Sequence, residues 1–91
     1  MKNLYGTISI LKNFNENNEQ VNESINYYKI KDDKYGLEIE MEHSNQIIEK
    51  IYAENITEDE SKIEYILKDL LKYEVTPNSK DVIEDLVKQY V

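Results

Sequence analysis

Glutamate occupies every second position of one short segment, at Glu38, Glu40 and Glu42. In an extended strand, residues two apart project from the same face, roughly 7 Å from one another. Carboxylates at this spacing could bind the Lys and Arg side chains of a basic partner. Lys29 and Lys31, in the preceding segment, would neutralise part of their charge. The row is therefore interpreted either as a solvated acidic face or as a docking face for a basic protein.

Tyrosine is unusually frequent, with eight copies against one Phe and no Trp. Its ring offers a large rigid contact area and a hydroxyl that can stay in water, and it is enriched at protein interfaces. A strand directs the adjacent Tyr27 and Tyr28 to opposite faces. We assign Tyr28 to the core and Tyr27 to the outer face beside Glu40 and Lys29. Phe14, in a polar segment, is interpreted either as a plug for the core or as an anchor for a partner.

The residues of the common catalytic sets are scarce. There is no Cys, which excludes disulfides, thiolate zinc sites and cysteine nucleophiles. The single histidine, His43, lies at a predicted hairpin end and is interpreted as exposed and uninvolved. The two glycines, Gly6 and Gly36, lie in strands and not in a phosphate-binding pattern, so each suits a close approach of neighbouring atoms. We therefore predict a protein that is not an enzyme and that uses no metal or cofactor.

Length and charge set further bounds. A chain of 91 residues predicts a single domain over 1–91. Eleven Lys against 19 Asp and Glu give a net charge of −8, which argues against direct binding to nucleic acid or to an anionic membrane. No segment approaches the roughly 20 apolar residues of a membrane span. We expect a cytoplasmic protein.

The first part of the chain predicts an antiparallel meander of three to four strands over about residues 4–56. Three strands are expected over 4–11, 21–31 and 35–42, with a mobile loop over 13–20. Residues 46–56 fit either a helix or a strand. A strand at the sheet edge is favoured, because an edge position can expose the charges that would otherwise be buried.

The hairpin between the second and third strands should have a register that keeps apolar residues together. A slip of one residue would place Lys29 beside Leu37 in the core. We therefore predict an even-numbered loop. The expected pairs are Ile30 with Leu37, Tyr28 with Ile39, and Lys29 with Glu38.

The last third predicts a helical hairpin, over about residues 58–73 and 77–90, packed on one sheet face. Thr57 and Glu60 form a capping box for the first helix. Thr76 with Pro77, or alternatively Ser79, begins the second. The resulting fold class is α+β. The residues expected to face the core are Ile63, Ile66, Leu67, Leu70 and Leu71 in the first helix, and Val82, Ile83, Leu86, Val87 and Tyr90 in the second.

Three segments carry a resemblance to a known family. They are Tyr-Gly-Leu-Glu-Ile-Glu at 35–40, the acidic helix start at Thr57, and the Val-Thr-Pro to Asp-Val-Ile-Glu-Asp stretch at 75–85. Over roughly residues 27–91 the chain resembles a small uncharacterised family from low-GC Gram-positive bacteria, a domain of unknown function. The resemblance implies no activity. It implies that the helices and the hairpin share one domain.

These features together predict a small acidic protein that acts by binding another protein, expected to be basic, as a regulator, adaptor or inhibitor. One alternative is a nucleic-acid mimic that occupies the groove of a nucleic-acid-binding protein. Another is a self-associating structural protein, a homodimer joined by a strand edge or by apolar helix faces. The residues predicted to bind the partner are Phe14, Tyr27, Lys29, Glu38, Glu40 and Glu42.

Overall fold

The chain forms a four-stranded antiparallel sheet followed by two helices. A computed structural model describes the backbone of residues 1–13 and 20–91 and the side chains of residues 1–9 and 23–91. The predicted mobile loop therefore falls largely outside the described residues, as does Phe14. The elements are β1 (Lys2–Asn13), β2 (Gln20–Lys31), β3 (Tyr35–His43), β4 (Gln46–Thr57), α1 (Glu60–Lys72) and α2 (Lys80–Tyr90).

The strands lie in the order β1-β2-β3-β4, so the sheet is a meander with β1 and β4 at its edges. Both the α+β prediction and the preference for an edge strand over residues 46–56 are confirmed. The alternation in β3 is confirmed as well, since Leu37 and Ile39 are fully buried on the helix side of the sheet. Within β4, Ala53 pairs with Leu37 and Ile51 with Ile39, which turns Lys50 to the other face.

Helix α1 packs across the sheet through the predicted apolar stripe, and Ile63, Ile66, Leu67 and Leu70 are all buried. Its start differs from the prediction. Asp59, not Thr57, is the N-cap, because the Asp59 side chain accepts the Ser61 amide at 2.9 Å.

Helix α2 begins at Lys80 with Ser79 as its N-cap, so the Thr76–Pro77 start is wrong and the alternative is right. The helix packs against α1. Its Ile83 is buried and the Tyr90 ring stacks on Tyr65 with centroids 6.1 Å apart. Val82 is exposed, which corrects its assignment to the core. Neither helix of the described chain has the length and apolar character needed to cross a membrane.

The core lies between the sheet and the helices. Tyr27 is its largest fully buried side chain, and its hydroxyl donates to the Val75 carbonyl at 2.8 Å. The assignment of Tyr27 to the outer face and Tyr28 to the core is therefore reversed. The buried apolar residues are Ile25, Tyr27, Leu37, Ile39, Ile63, Ile66, Leu67, Leu70, Val75 and Ile83.

The hairpin register between β2 and β3 explains this reversal. The loop has three residues, and Lys29 pairs with Leu37 while Tyr27 pairs with Ile39. The predicted even-numbered loop is therefore wrong, and the strands adopt the one-residue slip that places Lys29 beside Leu37. This placement is tolerated because the Lys29 ammonium leaves the sheet and binds two carboxylates of α1, Glu60 at 3.0 Å and Glu64 at 3.1 Å.

Candidate functional site

The sheet face turned away from the helices is the candidate site, and we call it the outer face. Leu4, Tyr28, Glu38 and Tyr52 are successive cross-strand partners and form one row across all four strands. Leu4 and Tyr52 at the ends of the row are 58% and 57% exposed, whereas Glu38 is only 7% exposed. The row therefore has a nearly buried carboxylate between two tyrosine rings.

The Lys2 ammonium lies over this row and is held from three sides. It donates to Glu38 Oε2 at 2.6 Å and to Glu40 Oε1 at 3.2 Å, and it lies 4.3 Å from the centroid of the Tyr28 ring. Two carboxylates and an aromatic face are the groups that bind an alkylammonium ion best. We call these four residues the Lys2 site.

The contacts of the Lys2 site shift the pKa values of Lys2, Glu40 and Tyr28. The hydrogen bond to Glu38 is the main reason that the pKa of Lys2 is raised above 10.5. Burial acts to raise the pKa of Glu40, but its hydrogen bonds, that from Lys2 first, outweigh burial and hold the pKa below 4.5. Burial, followed by the charge of Glu40, raises the pKa of Tyr28. The site therefore favours a protonated Lys2 and an ionised Glu40 at neutral pH.

A second polar chain continues along the outer face. The Thr7 hydroxyl donates to Asn26 Oδ1 at 2.9 Å, and Asn26 Nδ2 donates to Glu42 Oε1 at 3.0 Å. The Asn26 amide thus orients Glu42, as Lys2 orients the other two glutamates. Among the described side chains, no buried polar atom lacks a hydrogen-bond partner.

The structure brings together only part of the predicted set. Glu38, Glu40 and Glu42 share the outer face as predicted, although the first two are buried and bound to Lys2. Tyr27 lies in the core and cannot touch a partner in the folded chain. Lys29 lies on the helix side, which corrects its placement beside Glu38. Phe14 lies outside the described residues.

Lys2, Tyr28 and Tyr52 also belong to the outer face, although none of them is predicted there from the sequence. The sequence contains a signal for Lys2. Its strand, β1, contains no Asp or Glu, so an acidic partner for Lys2 has to lie on another element.

His43 has a closer neighbour than predicted. It is only partly exposed, and its Nδ1 lies 3.3 Å from Glu23 Oε1.

A shallow cleft lies on the helix side, between the edge strand β1 and helix α1. Its volume is about 240 Å³. The Tyr5 ring borders it on the strand side and Tyr65 on the helix side, and both rings are partly exposed. We call it the edge cleft. It is lined by Tyr5, Ser61, Glu64, Tyr65 and Lys68.

Removing the cation of the Lys2 site is expected to destabilise the fold. Replacing Lys2 with alanine should lower the free energy of unfolding at neutral pH by about 1 kcal/mol, because two carboxylates lose a charged donor. The value stays this small because the Lys2 side chain is 45% exposed to solvent. Urea denaturation measures the change. Lys34→Ala, an exposed turn substitution, is the control, and equal losses in the two variants would contradict the prediction.

The same site predicts a pH dependence. The lowered pKa of Glu40 contributes stability that is present above pH 4.5 and is lost as the pH falls through the folded-state value. The raised pKa of Lys2 contributes stability that is present below pH 10.5 and is lost as the pH rises beyond it. Urea denaturation at a series of pH values measures the free energy of unfolding. Lys2→Ala should reduce both the loss of stability at acid pH and the loss at alkaline pH that the wild type shows. An unchanged loss at acid pH would contradict the pairing of Lys2 with Glu40.

Comparison with known proteins places the chain in one family. A family model matches residues 7–89 of the 91, and the family is one of unknown function. The match extends about twenty residues further towards β1 than the resemblance seen in the sequence. No curated protein and no solved structure matches the chain.

Proposed function

The chain belongs to DUF6514, the family of unknown function whose model spans nearly all of it, and we propose that it is a protein-binding module. Its outer face binds a basic segment of a partner protein, whose Lys or Arg side chain takes the position of Lys2. One observation carries this proposal. The face already holds an ammonium group between two carboxylates and a tyrosine ring.

The chemistry of the Lys2 site supports a cationic ligand. Glu38 and Glu40 lie on adjacent same-face positions of β3, and Tyr28 crosses from β2, so rigid strands position all three groups. Rigid positioning reduces the entropy lost when a ligand binds. A guanidinium or ammonium group from another chain would find the same two carboxylates and the same tyrosine ring.

The present occupant can be displaced. Lys2 is the first residue of the edge strand β1, and this strand is paired on one side only. Its long side chain is 45% exposed, so water reaches the ion pair from above. Displacement would release Lys2 to solvent, where its charge is well hydrated.

The surroundings of the site favour a protein ligand over a free ion. Leu4 and Tyr52 are exposed at the two ends of the same row, where they can pack on the aliphatic stems and neighbouring side chains of a bound segment. The net charge of −8 attracts basic segments over a distance set by the salt concentration.

The proposal is tested with a fluorescein-labelled decalysine peptide and fluorescence anisotropy at low salt. The Lys2→Gln variant removes the competing occupant, so it should bind the peptide about fivefold more tightly than the wild type, the factor that corresponds to about 1 kcal/mol of internal pairing. Adding Glu38→Gln and Glu40→Gln to that variant should abolish the gain.

The matched control keeps the charge change and moves it to another surface. Asp81→Asn with Glu84→Gln, both exposed on α2, removes the same two negative charges from the Lys2→Gln variant. It should retain most of the tighter binding. If Lys2→Gln binds no better than the wild type, or if the α2 control loses as much affinity as the β3 variant, the outer face is not the binding site.

A further inference from the structure

We infer that the outer face recognises a lysine of its partner through the protons of the ammonium group, so that it binds unmethylated and monomethylated lysine and discriminates against trimethylated lysine. The inference rests on the proposed function, because it concerns the ligand that takes the position of Lys2. Methylation keeps the charge of a lysine side chain and removes its hydrogen-bond donors. The methylation state of the partner therefore regulates binding without a change in net charge.

The contacts of Lys2 show how many protons the site uses. A lysine ammonium has three donors and no acceptor. Two of them are bound, since Nζ lies 2.6 Å from Glu38 Oε2 and 3.2 Å from Glu40 Oε1. The described residues offer Nζ no third acceptor. Its other surroundings are the Tyr28 ring, whose centroid is 4.3 Å away, and solvent, which reaches the partly exposed side chain.

A methyl group cannot take the place of either bound proton. A carbon atom approaches an oxygen only to about 3.3 to 3.6 Å, so a methyl group between the two atoms prevents the 2.6 Å contact with Glu38. The glutamates have little freedom to move aside, because both lie on the interior strand β3 and are 7% and 4% exposed. A trimethylated ligand therefore leaves two nearly buried carboxylates without a donor, which is unfavourable.

One methyl group does have a place in the site. A monomethylated ammonium keeps two protons, the number that Glu38 and Glu40 accept, and its methyl group can point to the Tyr28 ring or to solvent. Proteins that bind highly methylated lysine enclose the ammonium in a cage of aromatic rings. The Lys2 site has a single ring and two carboxylates, so hydrogen bonds contribute more than the ring does.

The test uses four fluorescein-labelled decapeptides that consist only of lysine, monomethyl-lysine, dimethyl-lysine or trimethyl-lysine. All four carry the same charge. Fluorescence anisotropy at low salt measures their binding to the Lys2→Gln variant, from which the competing ammonium is absent. The unmethylated and monomethylated peptides should bind alike. The trimethylated peptide should bind at least about fivefold more weakly, because it loses two hydrogen bonds to charged groups, and the dimethylated peptide should lie between them.

The discrimination should depend on the two carboxylates. It should persist in the α2 control, in which Asp81→Asn and Glu84→Gln accompany Lys2→Gln. It should fall to about twofold or less when Glu38→Gln and Glu40→Gln accompany Lys2→Gln, because neutral acceptors form weaker hydrogen bonds. Circular dichroism verifies that each variant is folded. The comparison of the four peptides on Lys2→Gln decides the question even if the β3 substitutions unfold the chain.

Two results would overturn the inference and leave the proposed function standing. In both, decalysine binds Lys2→Gln more tightly than it binds the wild type. In the first, the four peptides bind Lys2→Gln equally, and in the second, the trimethylated peptide binds it most tightly. If decalysine binds the variant and the wild type equally, the proposed function fails and the inference fails with it.

Discussion

Replacing Tyr27 with alanine is expected to lower the free energy of unfolding by about 3 to 5 kcal/mol. The Tyr27 side chain is fully buried, so the substitution leaves a large cavity between β2 and the helices. Single domains are stable by only about 5 to 15 kcal/mol, and small ones lie near the lower limit. A large fraction of the variant should therefore be unfolded at room temperature.

A milder substitution separates the hydroxyl from the ring. Tyr27→Phe removes the donor to the Val75 carbonyl and should cost about 1 to 3 kcal/mol, because a buried acceptor is left without a partner. Burial, with a smaller contribution from the charge of Glu74, also raises the pKa of Tyr27 to about 12. Wild-type stability should consequently decrease as the pH rises from 10 towards 12, and Tyr27→Phe should reduce this decrease.

Tyr28→Ala is the matched control, since it removes the adjacent ring on the outer face. Tyr28 is only half-buried, so its loss should cost clearly less than the loss of Tyr27. Urea denaturation followed by far-ultraviolet circular dichroism measures both variants. The register predicted from the sequence places Tyr28 in the core, so it predicts a greater loss of stability from Tyr28→Ala than from Tyr27→Ala. A greater loss from Tyr28→Ala would therefore contradict the pairing of Tyr27 with Ile39.

Replacing Gly36 with alanine is the second substitution with a large expected effect. A Cβ atom at this position would lie 2.4 Å from the Ala53 carbonyl oxygen and 3.1 Å from Glu54 Cα. Both are backbone atoms of β4, at the register shift that lies between the partners of Tyr35 and Leu37. Backbone atoms cannot rotate away as a side chain can. We therefore expect Gly36→Ala to lower the free energy of unfolding by about 3 kcal/mol, near the upper end of the range for overpacked cores.

Gly6→Ala is the control for this substitution, because the three atoms nearest to the added Cβ would be side-chain carbons of Leu71, the closest at 3.2 Å. Leu71 is half-buried and can move, and alanine restricts the unfolded chain more than glycine does. We expect a loss of no more than about 1 kcal/mol. Thermal unfolding compares the two variants, and similar losses would mean that β4 does not pass so close to Gly36.

The hydrogen bonds of Lys2 decide what neutralising the glutamates of the outer face should do to folding. Three like charges on a strand suggest that neutralising them would improve folding. In the structure Glu38 and Glu40 are buried and bound to Lys2, so their conversion to Gln removes two charge-assisted hydrogen bonds. A binding assay with those variants therefore needs a measurement of their folding beside it. The decalysine experiment starts from Lys2→Gln because that variant keeps both carboxylates.

The sequence by itself determined the class of the fold and most of its elements. The alternation from Tyr35 to Met41 and the stripe from Ile63 to Leu71 are local periodic patterns, and a local pattern specifies a strand or a helix and the face that it buries. It also determined that the three glutamates share a face, because side chains two residues apart in a strand point to the same side.

Only the tertiary structure decided the register, the choice between Tyr27 and Tyr28, and the composition of the site. The slip in register is tolerated because Lys29 finds Glu60 and Glu64, which are 31 and 35 residues away in the chain. Lys2 likewise reaches Glu38 across 36 residues. Whether a charged residue can be placed near a core depends on partners from distant segments. The physical reason is that burial penalises an unpaired charge and tolerates a paired one, and no local pattern contains the pairing.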